Sequence, residues 1–256
     1  MRIMPTPPLL CPPDVIRPQA TLLKPKDLPV PADKFKAKFG LDWDKALAAG
    51  KVFNALDACK HFGVDASGLD AKWQKAKKED KLVKFGGGFY CGEVEGVYIF
   101  NGFFMSMRSA FVVPGSSIHY YVVEFDPKVL KWEQFRGEVL GPTDPAEAPK
   151  GSLRATIYAD WKSLGLSSVP TIGENGVHAS ASPLEGLAER ANWLKADIAT
   201  DSFGAALMAA GVSKKTIEAW SVDPQVTHAE GKGSCFDLLE DKDADECLAT
   251  CLTIKA

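Results

Sequence analysis

Long apolar segments are missing from this chain of 256 residues. No run approaches the roughly 20 consecutive apolar residues that a helix needs to cross a bilayer, so the sequence predicts no membrane partner. Residues 1–18 are rich in proline but lack the basic and apolar blocks of a secretory signal peptide. We therefore expect a cytoplasmic protein with a proline-rich, extended N-terminal arm.

A strong charge imbalance is also absent. The formal net charge is −3, which argues against a polybasic surface and predicts no nucleic-acid partner. Hydrophobic residues make up 46% of the chain and charged residues 25%. This composition is typical of a globular protein with a substantial core.

Two further motifs are incomplete. The six cysteines are scattered, and Cys247 and Cys251 alone share the spacing of one helix face. A zinc site needs more ligands than this pair, so free thiols in a reducing compartment are the prediction. The triple glycine Gly86-Gly87-Gly88 lacks the Gly-Lys-Ser/Thr of a phosphate loop, and it indicates a bulge or turn instead.

Hydrophobic periodicity and turn residues predict the elements. Strands are expected over 19–24, 82–100 and 119–125, and helices over 46–62, 103–111 and 132–140. This alternation indicates an α+β fold, a ferredoxin-like sandwich of an antiparallel sheet with helices and insertions. We expect three parts: the arm (1–18), a domain (19–195) and a helical extension (196–256) with helices over 202–210, 213–220 and 241–251.

The most informative segment surrounds His178. Ser182 is suited to be a helix N-cap, Pro183 fits the first helical position, and Glu185 completes a capping box. The histidine would therefore lie beside free backbone N–H groups and the positive end of a helix dipole, where an anion such as phosphate binds. Glu189, one turn beyond Glu185, could orient the imidazole. A lone histidine is more often a structural residue at a strand end, and that alternative stays open.

The neighbours of His178 have a defined spacing. Asn175 lies three residues before it, Ser180 two residues after it, and Glu189 eleven residues after it. This pattern resembles the active-site segment of nucleoside diphosphate kinases. The resemblance implies that His178 is phosphorylated, with Ser180 and Glu189 as catalytic neighbours and Asn175 as a nucleotide-binding residue.

Two more segments carry the resemblance. Leu140–Ala146 and Gly151–Arg154 are similar to the family's phosphate-binding stretch, which implies phosphate contacts from Thr143 and Arg154. Ala20–Pro25 is similar to the family's first strand and implies that Lys24 reaches the active site. Where the family has another phosphate-binding arginine, this chain has Gly137 with Arg136 one place earlier. Either a local shift lets Arg136 replace it, or one charge is missing.

The resemblance also implies an activity. The family transfers the γ-phosphate of ATP or another nucleoside triphosphate to a nucleoside diphosphate in a ping-pong cycle. Mg²⁺ is held mainly by the nucleotide phosphates, so no metal ligand is expected from the protein. Phe103 and Ile172 are candidates for the apolar clamp on the base, with the equal alternative that both are core residues. The family forms oligomers, and a homo-hexamer is implied by analogy.

The chain also departs from the family pattern. Ala179 and Ala181 replace a Gly and an Asp, and the stretch between Arg154 and Asn175 is about eleven residues longer. Two other functions therefore stay open. One is a non-catalytic structural or interaction subunit of a larger assembly. The other is a nucleotide sensor, or a protein that passes phosphate from His178 to another protein.

Overall fold

The computed structural model describes residues 2–4, 9–10, 23–86, 89–112, 115–229 and 231–255. The chain divides into two compact units. The N-terminal unit is Thr6–Tyr120, and the C-terminal unit combines Met1–Pro5 with Tyr121–Ala256. The division therefore falls within the 19–195 segment that the sequence predicts as one domain.

Strands and helices alternate along the first half of the chain, and helices dominate the second. The strands are β1 (Arg2–Met4), β2 (Leu9–Leu10), β3 (Val52–Asn54), β4 (Leu82–Gly86), β5 (Phe89–Val94), β6 (Val97–Phe100), β7 (Ser117–Ile118), β8 (Val122–Glu124), β9 (Gln225–His228) and β10 (Gly231–Ser234). The helices are α1 (Ala32–Phe39), α2 (Trp43–Ala48), α3 (Ala55–Phe62), α4 (Ala66–Lys78), α5 (Phe104–Val112), α6 (Trp132–Gln134), α7 (Leu153–Asp160), α8 (Pro183–Trp193), α9 (Ser202–Ala209), α10 (Lys214–Trp220), α11 (Cys235–Leu239) and α12 (Ala244–Cys251). A π-helical turn, Phe135–Leu140, continues α6.

The N-terminal unit contains a four-stranded sheet in the order β3-β6-β5-β4. Side chains on one face of this sheet pack with Phe35 of α1 and Ala46 of α2, and those on the other face pack with Leu69 and Trp73 of α4. The structure is therefore compatible with the predicted α+β class. The predicted antiparallel sheet is wrong for one strand pair, because β3 pairs with β6 in parallel.

The parallel strand arises where the sequence predicts one continuous helix over 46–62. Gly50 adopts a left-handed φ of 64° after α2, which ends that helix. The Asn54 side chain then accepts the backbone N–H of Asp57 at 2.7 Å and starts α3 as its N-cap. The segment between these signals forms β3, whose last residue is Asn54 itself. At the far edge, the register between β4 and β5 shifts between Lys84 and Gly86, which confirms the predicted irregularity beside the glycines.

The C-terminal unit is built around one hydrophobic cluster. Leu184 and Leu187 of α8 are fully buried in it together with Leu207, Ile217, Leu239 and Cys247. The 195/196 boundary that the sequence predicts therefore runs through a continuous core. The helices predicted over 202–210, 213–220 and 241–251 are present, and the β9–β10 hairpin and α11 were not predicted. The five described cysteines are free thiols, as expected.

Parts of the N-terminal arm pair with strands of the body. β1 pairs antiparallel with β8 in the C-terminal unit, and β2 pairs antiparallel with β7 in the N-terminal unit. Most of the strand predicted over 19–24 lies outside the described residues. Lys24 itself precedes a short 3-10 turn, Pro25–Asp27, and is not in a strand. Among the helices that the structure describes, none has the length and apolar character needed to cross a bilayer.

Candidate active site

The helix that follows His178 begins as the sequence predicts. Ser182 is the N-cap of α8, and its hydroxyl oxygen accepts the backbone N–H of Glu185 at 3.2 Å. Pro183 occupies the first helical position. The Glu185 carboxylate accepts the N–H of Ala181 at 2.5 Å. In a regular capping box it would accept the N–H of the N-cap residue, Ser182. These bonds fix the backbone between the histidine and the helix.

The imidazole of His178 is held by Glu189. Its Nε2 atom lies 2.5 Å from Oε1 of Glu189, and the other carboxylate oxygen accepts the Ser180 hydroxyl at 2.5 Å. About two thirds of the His178 side-chain surface is exposed, against 32% for Glu189. Because Nε2 donates to the carboxylate, Nδ1 keeps its lone pair and is the nucleophilic atom of the ring.

These contacts shift the pKa values of the group. The hydrogen bond to Glu189 raises the pKa of His178, partial burial opposes the rise, and the negative charge of Glu185 adds to it. Burial alone would raise the pKa of Glu189, but its hydrogen bonds from His178 and Ser180 hold that pKa below the ordinary value. Burial raises the pKa of Glu185. Glu189 is therefore the ionised partner of the imidazole.

The backbone around His178 is anchored from three directions. Arg154 donates from NH2 to the carbonyl oxygen of Val177 at 2.8 Å. The Trp132 indole N–H donates to the carbonyl oxygen of Ser180 at 2.9 Å. The backbone N–H of Asp241 donates to the carbonyl oxygen of Ala181 at 2.9 Å. The loop bearing the histidine is thus tied to three separate elements of the unit.

A glycine makes the preceding turn possible. Gly176 has a φ of +85°, a backbone conformation that side chains disfavour, and a Cβ there would lie 3.1 Å from Ile157. This turn separates Asn175 from Val177. It lets the Asn175 side-chain amide donate to the carbonyl oxygen of Thr143 at 3.1 Å, while Val177 reaches Arg154. The segment around His178 and the segment with Thr143 and Arg154, which both carry the resemblance, are therefore in contact.

At the start of α8, two of the first three backbone positions offer no free N–H. Pro183 has no N–H, and the Glu185 N–H is taken by the Ser182 hydroxyl. The dipole of α8 remains.

The two arginines of the site have different partners. Arg154 donates from NH1 to the carbonyl oxygen of Gly141 at 2.6 Å in addition to Val177, and its Nε atom is buried without a hydrogen-bond partner among the described residues. Arg136 forms ion pairs with Glu240, at 3.0 Å, and with Asp241. Burial lowers the pKa of Arg154, and the positive charge of Arg136 lowers it further.

The remaining predicted site residues are distributed between the units. Lys24 and Phe103 belong to the N-terminal unit and are not part of the cluster around His178 within the C-terminal unit. Phe103 packs against Trp73, with ring centroids 5.9 Å apart, and is a partly buried core residue. Ile172 is 61% exposed, so the alternative that it is a core residue is wrong.

Trp132 and the turn at Asp241 are site components that sequence reasoning missed. On the sequence alone, the acidic run 240–246 indicates a solvated helix start, because acids favour the N-terminal turn of a helix. In the structure, Asp243 is buried, and its carboxylate accepts the Trp132 backbone N–H at 2.8 Å and pairs with Lys131 at 2.7 Å. The dense acidity of the run was the available signal, but no local pattern identifies partners more than 100 residues away.

One group of side chains has the composition of a metal-binding cluster. His178, Glu185 and Glu189 each offer an atom that lies within 4.8 Å of the other two. A nitrogen ligand among carboxylates suits a transition metal better than Mg²⁺, which prefers oxygen ligands. Both carboxylates already accept hydrogen bonds from Ala181, Ser180 and His178. The donor set therefore does not fit a protein-held Mg²⁺.

Comparison of the chain with protein-family models, with curated proteins and with solved structures finds no match.

Proposed function

We propose that this protein is a phosphotransferase that carries a phosphoryl group on His178, with the activity of a nucleoside diphosphate kinase. The observation that carries the proposal is the bond between Nε2 of His178 and the Glu189 carboxylate. It orients an exposed imidazole, holds the proton on Nε2 and leaves the Nδ1 lone pair for attack. Such a pair of oriented base and carboxylate is how proteins activate a nucleophilic side chain.

The first half-reaction uses the neutral imidazole. Nδ1 attacks the γ-phosphorus of a nucleoside triphosphate, the P–N bond forms, and the bond to the β-phosphate oxygen breaks with its electron pair leaving on the nucleoside diphosphate. The ring becomes positively charged, and the Glu189 carboxylate stabilises that charge through Nε2–H. Ser180 supports the step by holding the second carboxylate oxygen.

The second half-reaction returns the ring to its starting state. A terminal phosphate oxygen of a second nucleoside diphosphate attacks the phosphoryl group, the P–N bond breaks, and its electron pair returns to Nδ1. Phosphoryl transfer depends mainly on positioning and charge neutralisation. Arg154 and Arg136 supply cationic donors, while Thr143 and Asn175 shape the phosphate side. Lys24 is a further cation that the resemblance assigns to the site, with no described contact to His178.

Three finer points belong to the same proposal. Mg²⁺ enters with the nucleotide and is held by its phosphates, since the protein's own cluster suits other metals. Ile172, exposed in the loop before Asn175, is available to contact the base. A ferredoxin-like topology and a homo-hexamer rest on the family resemblance alone.

A nucleotide-exchange assay tests the proposal. With ATP as donor and GDP as acceptor, the protein should form GTP, and His178→Asn should abolish the reaction because Asn lacks a ring nitrogen that can attack phosphorus. His119→Asn is the matched control, since His119 is exposed and belongs to the N-terminal unit. Equal rates for the wild type and His178→Asn would refute the assignment. Phosphorylated His178 that discharges to no nucleotide would instead favour transfer to another protein.

A further inference from the structure

The turn at Glu240 and Asp241 joins the candidate active site to the C-terminal extension. NH1 of Arg136 lies 3.0 Å from Oε1 of Glu240 and also contacts Oδ1 of Asp241. The backbone N–H of Asp241 donates to the carbonyl oxygen of Ala181, three residues after His178, at 2.9 Å. The acidic turn that pairs with Arg136 is therefore bonded directly to the loop that bears the candidate nucleophile, and the charge of Arg136 opposes the rise in the pKa of His178.

We infer that Glu240 and Asp241 act as an internal counterion that competes with the phosphates of an incoming nucleotide for Arg136. The inference rests on the proposed function. The acidic pair makes the affinity for anionic ligands lower than it would be if Arg136 had no counterion. The pair holds Arg136 in ion pairs until a ligand with greater charge displaces it.

The geometry allows this exchange without a change in the fold. The side chains of Glu240 and Asp241 are 50% and 39% exposed, so rotation about their side-chain bonds can move each carboxylate into water. The backbone of the turn stays in place because the Asp241 N–H is bonded to the carbonyl oxygen of Ala181. Asp241 has a left-handed φ of 60°, a conformation that Asp and Asn tolerate better than other side chains.

Electrostatics favour phosphate over the carboxylates once a nucleotide is bound. A nucleotide phosphate carries more negative charge than a single carboxylate. The carboxylates of Glu240 and Asp241 are partly exposed, which weakens their ion pairs with Arg136. A guanidinium binds a phosphate through paired, charge-assisted hydrogen bonds, which are stronger.

Charge-neutral isosteres test the inference. Glu240→Gln with Asp241→Asn keeps the side-chain shapes and a residue that tolerates positive φ, but removes both charges. ADP binding, measured by calorimetry, should tighten roughly fivefold, equivalent to about 1 kcal/mol, the upper range for exposed ion pairs. Asp245→Asn with Glu246→Gln removes the same charge from the exposed first turn of α12 and should leave the affinity unchanged.

Arg136 itself provides the decisive comparison. In a protein with Arg136→Met, the Glu240→Gln and Asp241→Asn pair should no longer change ADP affinity, because its effect passes through Arg136. An unchanged affinity in the Glu240/Asp241 variant, or equal tightening with and without Arg136, would overturn the inference. If the wild type is phosphorylated on His178 while the affinity stays unchanged, the inference alone fails. If no variant binds ADP and none is phosphorylated, the proposed function fails with it.

Discussion

Arg154 donates to the carbonyl oxygen of Val177, the residue immediately before the candidate nucleophile His178. The same guanidinium also donates to Gly141, so one side chain joins the phosphate-binding stretch of the resemblance to the histidine loop. Arg154 thus positions the loop that bears His178 and also carries a positive charge near it. This relationship links the stability of the loop to the chemistry proposed for it.

Replacing Arg154 should therefore damage both stability and rate. Arg154→Met removes two hydrogen bonds from a charged donor to buried or partly buried carbonyls, at a cost of about 2–4 kcal/mol in unfolding free energy. It should lower kcat by roughly 10²-fold or more through lost charge neutralisation. Chemical denaturation and exchange kinetics measure the two effects. An Arg154→Met protein with unchanged kcat and unchanged stability would show that these contacts are not needed.

The pH dependence of transfer should reveal the His178–Glu189 pair. Nδ1 attacks only when the ring is neutral, and the pKa of His178 is raised above 6.5, mainly by its hydrogen bond to Glu189. The rate should therefore fall as the pH drops through a value above 6.5. Glu189→Gln removes the negative charge, so the midpoint should move to lower pH. A midpoint that is identical in the two proteins would contradict the assigned pairing.

The same pair should make stability depend on pH. A raised histidine pKa stabilises the folded state below pH 6.5, and this contribution is lost as the pH rises through the folded pKa. The lowered pKa of Glu189 contributes stability to the folded state above pH 4.5. This contribution is lost as the pH falls through the pKa that Glu189 has in the folded state. The difference in Tm between the wild type and His178→Asn should thus be largest between pH 4.5 and 6.5 and should shrink above that range.

The shared core of the C-terminal unit predicts that distant core mutations weaken the site. Leu207 of α9 is fully buried in the cluster that contains Leu184 and Leu187 of α8. Leu207→Ala should cost about 2–5 kcal/mol, and exchange activity should be lost at lower temperature. Met208→Ala, at a position 38% exposed on the same helix, is the control. Equal melting temperatures for the two variants would contradict the described packing.

Self-association remains a prediction of the resemblance. On the sequence alone, the apolar faces of the C-terminal extension are candidates for a subunit interface. In the structure, Phe203, Leu207, Ile217 and Trp220 are buried in the same chain's core, and Phe236, Leu238 and Leu248 pack against it. They therefore do not provide a free face. Exposed apolar side chains occur instead over residues 153–172. Light scattering at micromolar protein should give at least twice 27.6 kDa, and a constant monomer mass would contradict the prediction.

The role of Lys24 is a prediction that comes from the resemblance to the family's first strand. Lys24→Ala should lower kcat if the side chain neutralises transferring phosphate, by roughly 10²-fold for a preorganised donor. Lys26→Ala is a matched control, because Lys26 is also exposed and only two residues away. Equal kcat values for the two variants would show that the resemblance does not extend to this segment.

Sequence reasoning succeeded where local chemistry decides structure. Ser182, Pro183 and Glu185 start α8 through interactions within a few residues, and helix geometry places Glu189 on the same face as Glu185. It failed where distant residues decide. The acidic run 240–246 is ordered by Lys131, Trp132 and Arg136, which lie more than 100 residues away in the sequence. No local pattern contains that information.

The central claim is that His178 carries the phosphoryl group, and a charging experiment tests it most directly. Purified protein is incubated with ATP labelled in the γ-phosphate, separated from nucleotide, and then mixed with GDP. The account predicts acid-labile label on the wild type, none on His178→Asn, and complete transfer of the label to GTP. Undiminished labelling of His178→Asn, or the absence of label from a folded wild type, would contradict it.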